Sequence, residues 1–213
     1  MKIGIVAHKD RLDTSHNLVK TVAADYVSID QGELGPTANH IKVWEHLVAI
    51  SGMDEWLIVL EDDVLPCNDF RSEAAHALRW VPLDSDVVSF YMGMQRPPHW
   101  QDRVASALAK ADETQACWIV GDYVLHGVAL AMRHEHAAKM VHAVRHSRRP
   151  IDEAISVWCR AFGHRVAYAV PSPCDHLDMP TIIQHPDGEQ REPGRVAWRF
   201  GVRTHWNGAR VLL

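Results

Sequence analysis

Three consecutive carboxylates, Glu61, Asp62 and Asp63, follow the apolar run Trp56-Leu57-Ile58-Val59-Leu60 and precede Val64. Adjacent like charges repel, and withdrawing them from water is costly unless a cation compensates. Carboxylate oxygens grouped in this way suit a hard divalent ion, Mg²⁺ or Mn²⁺, which commonly carries a phosphate-bearing substrate. A solvated acidic turn is the plain alternative. The run before the acids argues against it, because five apolar residues between Met53-Asp54-Glu55 and Pro66 read as a strand buried on both faces of a sheet. Open α/β sheets place their ligands outside the carboxyl ends of such strands.

The elements around this strand alternate. Ile3 to Ala7 forms a first strand that ends in His8-Lys9-Asp10-Arg11, and Thr14 or Ser15 can cap a helix to Ala24. Tyr26 to Asp30 is a second strand with an acid at its carboxyl end. Gly32 and Gly35-Pro36 mark a loop, and Thr37 caps a helix to Ile50 whose apolar face is Ile41, Trp44, Leu47 and Val48. This β-α-β-α-β order predicts an α/β fold with a mixed, mainly parallel sheet flanked by helices on both faces. Further on, the pattern gives a helix from Asp69 to Val81, a strand from Asp86 to Tyr91, a loop over Arg96 to Trp100 and a helix from Asp102 to Ala111. Strands follow at Cys117 to Val120 and Tyr123 to Met132, the second containing Gly127. Such a glycine marks either a twist point or a close backbone approach to a ligand. Helices over His134 to Arg145 and Pro150 to Phe162 and a strand from Arg165 to Val170 complete the core.

The tail differs. From Arg195 to Arg203 apolar residues alternate with basic ones, Arg195, Arg199 and Arg203 among them, which predicts a strand with one basic face. That face would be either an anion clamp or the charged guard of a sheet edge.

At 213 residues, 47% apolar and 23% charged, the chain suits one domain with its own core. The net charge of −5 divides unevenly, with −7 over residues 1–100 (8 basic, 15 acidic) and +2 over residues 101–213 (14 basic, 12 acidic). Nothing in this marks a nucleic-acid coat, although a local basic face leaves that class open. Cys67, Cys117, Cys159 and Cys174 lack CxxC spacing and read as reduced thiols. No run approaches a membrane span or a signal peptide, so a cytoplasmic location is expected. His46, His76, His134, His136, His142 and His146 fall on predicted helices and are expected at the surface.

Three segments carry a family resemblance. Gly32-Glu33-Leu34-Gly35 leading to Asn39-His40 and Trp44 resembles the G-E-x-G…S-H…W segment of glycosyltransferase family 25, with Asn39 where the family has serine. Leu60-Glu61-Asp62-Asp63-Val64 is similar to that family's LEDDV, a local form of the DxD motif. Pro171-Ser172-Pro173-Cys174-Asp175-His176 resembles its P-S-L-V-x-H, with Pro173 replacing leucine. In this order they span most of the chain up to about residue 185, and the basic tail has no counterpart. The resemblance implies a GT-A-like, Rossmann-like catalytic domain over residues 1–186 and a basic extension over 187–213.

It also implies a chemistry: transfer of a sugar from a nucleotide-sugar donor, UDP-sugars first, to a hydroxyl of a glycan, protein or other acceptor. Mn²⁺ or Mg²⁺ would stabilise the leaving diphosphate. By this resemblance Asp63, Glu61 and His176 are the metal ligands, with His185 and His205 in reserve. Glu61 shares a side of the extended chain with Asp63, while Asp62 points the other way, to a backbone amide or an arginine. Asp152 matches the xED position and is the expected base for an inverting transfer. His8, Arg11, Asp30, Asn39, Glu61, Asp62 and Gly127 would contact the donor. A nucleotidyltransferase on a similar sheet would want a glycine-rich loop after the first strand, which His8-Lys9-Asp10-Arg11 does not supply. A non-catalytic nucleotide- or carbohydrate-binding module is the third class.

Overall fold

In the computed structural model the described residues are 1–53, 55–180, 182 and 193–213. Strand β1 (Lys2–His8) passes through a 3-10 turn (Lys9–Arg11) into α1 (Leu12–Val22), and β2 (Tyr26–Asp30), α2 (Pro36–Ile50) and β3 (Trp56–Glu61) follow. Beyond them come β4 (Val64–Pro66), α3 (Phe70–Leu78), β5 (Val87–Ser89), α4 (Gln101–Thr114) and β6 (Trp118–Gly121). The chain closes with β7 (Ala129–Arg133), α5 (His134–Val144), α6 (Ile151–Phe162), β8 (Val166–Ala169), β9 (Cys174–His176) and β10 (Arg210–Leu212).

Eight strands form one mixed sheet in the order β10-β6-β8-β5-β7-β3-β1-β2. Pairings β1–β2, β1–β3, β5–β8 and β6–β10 are parallel. Pairings β3–β7, β5–β7 and β6–β8 are antiparallel. Alternation along the strands divides the core in two. Leu57 and Val59 of β3 join an apolar cluster with residues of α2, α4, α5 and α6, whereas Ile58 and Leu60 join another with residues of α1 and α3. All four of these β3 side chains are fully buried, as a continuous apolar run requires. Among the described residues no helix is long and apolar enough to cross a membrane, and the four cysteines are buried and unpaired.

Two expected strands are corrected. The one placed at Tyr123 to Met132 starts only at Ala129. Before it, Val124 N–H donates to Ser156 Oγ at 2.8 Å and Leu125 N–H to Tyr168 Oη at 3.0 Å, so these amides are satisfied by hydroxyls instead of a neighbouring strand. The alternating tail is not a strand over 195–203. It makes isolated bridges from Ala197 to Gly93 and from Phe200 to Ser172. Its arginines turn to separate partners: Arg195 to Asp178, Arg199 to Asp112 and the Arg203 N–H to Glu73. Beyond it, Trp206 is buried against Trp118 and donates to Glu73, and β10 completes the sheet edge beside β6.

The histidine expectation also needs correcting. His46, His134 and His136 are partly buried: His46 stacks on Tyr26, and His134 Nδ1 meets Ser51 Oγ at 2.8 Å.

Gly4 in β1 lets α2 lie directly on the sheet. A β-carbon there would run into Val43 Cγ1 and stand 3.1 Å from Leu47 Cδ1. Gly4→Ala is expected to lower the unfolding free energy by about 1–3 kcal/mol, the usual scale of overpacking, read as a lower denaturant midpoint with unchanged m value.

Candidate functional site

A two-stranded antiparallel ribbon, β4 against β9, builds the centre of the site. Its register sets Val64 opposite His176, Leu65 opposite Asp175 and Pro66 opposite Cys174. Backbone bonds extend it at both ends, from Leu177 N–H to Asp63 O at 2.8 Å and from Cys67 N–H to Pro173 O at 2.9 Å. The consequence is that His176 Nε2 stands 3.2 Å from Asp63 Oδ2. Asp178 N–H donates to His176 Nδ1 at 2.8 Å. Nδ1 is therefore an acceptor, and the neutral ring carries its proton on Nε2, pointed at Asp63.

Asp62 and Asp63 are each 5% exposed and share one cation, Arg11, itself 8% exposed. The Arg11 Nη1 atom donates to Asp62 Oδ1 at 2.9 Å and also to Asp63 Oδ2. Arg11 Nη2 reaches the Pro180 carbonyl at 2.9 Å. Asp62 takes a further bond from the His8 amide at 2.8 Å, so it meets both a backbone N–H and an arginine. Burial alone would raise the Asp63 carboxyl, but the hydrogen bond from His176 and the charge and hydrogen bond of Arg11 outweigh it and lower it. For Asp62 burial wins, against the His8 amide and Arg11, and its carboxyl is raised. Asp63 Oδ1 is buried and has no hydrogen-bond partner among the described residues. A carboxylate held ionised, with one oxygen unmatched, is a ready cation ligand.

Glu61 ends β3 with its side chain 32% exposed, and its Oε1 lies 3.0 Å from Nε2 of the buried His40. Gly127 lies over this pair. A β-carbon there would stand 3.1 Å from Glu61 Oε1 and 3.0 Å from Ile151 Cγ2, so the position keeps space above the acid. Next to Ile151, Asp152 sits in the first turn of α6 and accepts from the Glu153 amide at 2.9 Å. Burial raises its carboxyl, opposed by that amide and reinforced by the charges of Glu61 and Glu153, to about 6.

The other sequence candidates lie at the same end of β1 and β2. His8 closes β1, its Nδ1 accepting from Asp10 N–H at 3.3 Å. Asp30 commits both oxygens to the following loop: Oδ1 accepts from the amides of Gly32, Glu33 and Leu34, and Oδ2 from that of Gly35 at 2.7 Å. Burial opposes ionisation there, but those four amides outweigh it and lower the carboxyl. Gly32 and Gly35 adopt φ of 94° and 80°, values that favour glycine. Asn39 is buried and donates to the carbonyls of Ala7 and Ser28, leaving Oδ1 without a partner among the described residues. His185 lies outside the described residues. His205 is exposed, and its carbonyl lies 3.8 Å from Cys117 Sγ.

Sequence reasoning assigned no role to His40, Tyr91 or His126. Tyr91 packs its ring 5.0 Å from His126 and 6.2 Å from His176. Burial and the neighbouring His176 lower His126 to about 4, against the Gly93 backbone, so its ring is neutral at physiological pH. The adjacency of Asn39-His40 and of His126-Gly127 was the available signal. The three expected metal ligands do not come together as a set. Among the described residues the group of three potential ligand side chains within 4.8 Å of one another is Asp86, His136 and His164, elsewhere in the molecule, whereas Asp63 meets His176 without Glu61.

No protein-family model matches the chain and no curated protein matches it, so the likeness to glycosyltransferase family 25 rests on its three segments. Among solved structures, a mutant Drosophila β1,4-galactosyltransferase 7 in complex with manganese, UDP-Gal and xylobiose is 13% identical over 83% of this chain and 71% of its own, with a TM-score of 0.46. The protein A197 from STIV is 13% identical over 96% of this chain and 99% of its own, with a TM-score of 0.47. The chemistry of the site therefore rests on its own residues.

Asp152 has a thermodynamic signature. Its folded-state carboxyl, at about 6, lies above the ordinary aspartate value of about 3.9, so the fold disfavours the ionised form. The two states titrate alike below the lower value, and the folded state loses stability as pH rises through about 6. With partial solvent screening the loss is on the order of 2 kcal/mol at pH 7.5. Asp152→Asn is expected to raise the melting temperature at pH 7.5 and leave it unchanged at pH 3.5, by calorimetry at both values.

Proposed function

We propose that this protein is a metal-dependent glycosyltransferase with a GT-A-like fold, moving a sugar from a nucleotide sugar to a hydroxyl acceptor with inversion. One observation carries the reading: the ribbon holds Asp63 and His176 together beside the exposed end of β3, with an unmatched carboxylate oxygen between buried groups. A solvated acidic turn would leave Asp63 in water.

The buried, unmatched Oδ1 of Asp63 is what would take a divalent ion here. Asp63, Glu61 and His176 do not present three ligand atoms within 4.8 Å of one another among the described residues, so the ion would complete its shell with water and donor phosphate oxygens. Asp63 would hold the ion first, through Oδ1, with Glu61 as the second candidate. His176 would join only if its proton moved from Nε2 to Nδ1 and the Asp178 amide bond were released, so it ranks third. A bound Mn²⁺ or Mg²⁺ supplies charge stabilisation to the departing diphosphate. Arg11 keeps Asp63 ionised and Asp62 in place. His8 and Asn39 border the donor's nucleoside, and Asp30 shapes the loop 32–35 beside it. Gly127 leaves room above Glu61 for the sugar.

Asp152 is the base. A carboxyl raised to about 6 is a far better proton acceptor at neutral pH than an ordinary aspartate, yet is still mostly ionised there. It takes the proton of the acceptor hydroxyl as the new bond forms. His40 positions Glu61 and keeps the two acids in register.

The test is release of nucleoside diphosphate from a panel of nucleotide sugars with Mn²⁺ and simple glycan acceptors, UDP-sugars being expected to react. Asp63→Asn should lower turnover by about 10²-fold or more, the scale of losing one electrostatic contact to a transition state. Pyrophosphate release, or binding without turnover for every donor, overturns the proposal. In the same assay the rate should rise with pH through about 6 as Asp152 ionises. Asp152→Asn should remove that limb and slow the reaction by about two orders of magnitude at unchanged donor affinity. Equal loss of donor binding would make Asp152 a structural acid.

A further inference from the structure

Asp86, His136 and His164 lie far apart in sequence and meet at the end of the sheet opposite to Glu61. Asp86 immediately precedes β5, His136 occupies the first turn of α5 just after β7, and His164 precedes β8. Their level is set by register: Val87 pairs with Val166 and with Met132, and Arg133 pairs with Trp56 at the start of β3. None of the three belongs to the site proposed for sugar transfer.

One potential ligand atom from each residue lies within 4.8 Å of the other two. Asp86 Oδ2 stands 2.7 Å from His164 Nδ1, and Asp86 Oδ1 stands 3.4 Å from His136 Nε2. Ligands at about 2.0–2.1 Å on a tetrahedral Zn²⁺ stand roughly 3.3 Å apart. The His136 spacing already matches, and the His164 contact needs to open by about half an ångström once its shared proton leaves. Glu135 Oε1, 3.2 Å from His136 Nε2, is within reach of a fourth position.

The surroundings hold these groups in place. The Trp158 ring stacks on His164 with centroids 4.2 Å apart, and the two histidine rings meet edge to face at 5.3 Å. Asp86 N–H donates to Arg165 O at 3.0 Å, pinning the strand start. All three side chains are partly buried, so an ion can enter yet is shielded on several sides.

We propose that Asp86, His136 and His164 form a second, structural metal site that takes a borderline transition-metal ion, Zn²⁺ first. Two imidazoles select zinc over magnesium or calcium, which prefer oxygen. The ion would tie the start of α5 and the turn after α6 to β5, cross-linking three separate segments. One feature weakens the site. His136 Nδ1 is buried with no partner among the described residues, and a ligating histidine normally donates that N–H. A missing outer partner lowers metal affinity about 10–100-fold, so a supporting site is expected, not one on which folding depends.

The experiment uses the full chain stripped of metal with a chelator. Zn²⁺ uptake is titrated against a chromogenic chelator, and thermal unfolding is followed with and without Zn²⁺. Expected is one Zn²⁺ that His176→Gln retains and that both His136→Gln and His164→Gln lose, with a Zn²⁺-dependent rise in melting temperature in the wild type that those two variants lack. Cobalt substitution should give the intense visible absorption of four-coordinate Co²⁺. Zn²⁺ uptake that survives both His136→Gln and His164→Gln, no uptake by the wild type, or equal stabilisation by Mg²⁺ overturns the proposal. If one variant fails to fold, the other and the cobalt spectrum of the wild type still decide.

Discussion

Two buried aspartates at the tip of one strand, sharing a single arginine, are the constraint around which this molecule is arranged. Asp62 and Asp63 are nearly inaccessible, and Arg11 supplies one positive charge for their two negative ones. Removing a partner from such a buried group typically costs about 3–5 kcal/mol. The cluster therefore locks the turn after β1, the end of β3 and, through Pro180, the segment after β9 into one arrangement. The balance remains one charge short. This deficit is what the divalent cation proposed at Asp63 would balance.

The second organising element is the short ribbon of β4 and β9. Three residues on each side contribute little apolar burial of their own, yet they fix the direction of His176 and the Asp63 carbonyl. Around it, the fold sorts three carboxylates into different states. Asp63 is held ionised by opposite charge, and Asp62 is raised by burial while hydrogen-bonded. Asp152 is raised by burial and by the nearby negative charge of Glu61. Neighbouring acids with carboxyl groups driven apart in this way can divide the roles of ion holder and proton acceptor. If Asp152 is the base proposed above, the same burial that raises its carboxyl makes it a better proton acceptor and disfavours its ionised form in the fold.

Much of the scaffold was legible in the chain. The elements from β1 to β3 fall within a few residues of their expected places, because their apolar periodicities are unambiguous and their turns carry Gly32, Gly35 and Pro36. The burial of β3 followed from its unbroken apolar run. Local pattern misled where tertiary hydrogen bonds intervened. Residues 123–128 have strand composition, but Ser156 and Tyr168 take up the amides of Val124 and Leu125. The alternating tail reads as a strand in isolation, whereas Asp112, Asp178 and Glu73 draw its arginines and backbone in different directions.

By itself, then, the sequence determined the alternation of strands and helices, the burial of β3 and the presence of three acids at its end, since each of these follows from neighbours a few residues apart. Only the tertiary structure decided that Asp62 and Asp63, expected on opposite sides of an extended chain, meet the same arginine across a turn, that Gly127 lies over Glu61, and that His176 faces Asp63 through a ribbon too short to signal itself. It alone assembled Asp86, His136 and His164 from three elements. The physical reason is range: hydrophobic periodicity is written locally along the chain, whereas a charge finds its partner through contacts between residues whose distance in sequence carries no information about their distance in space.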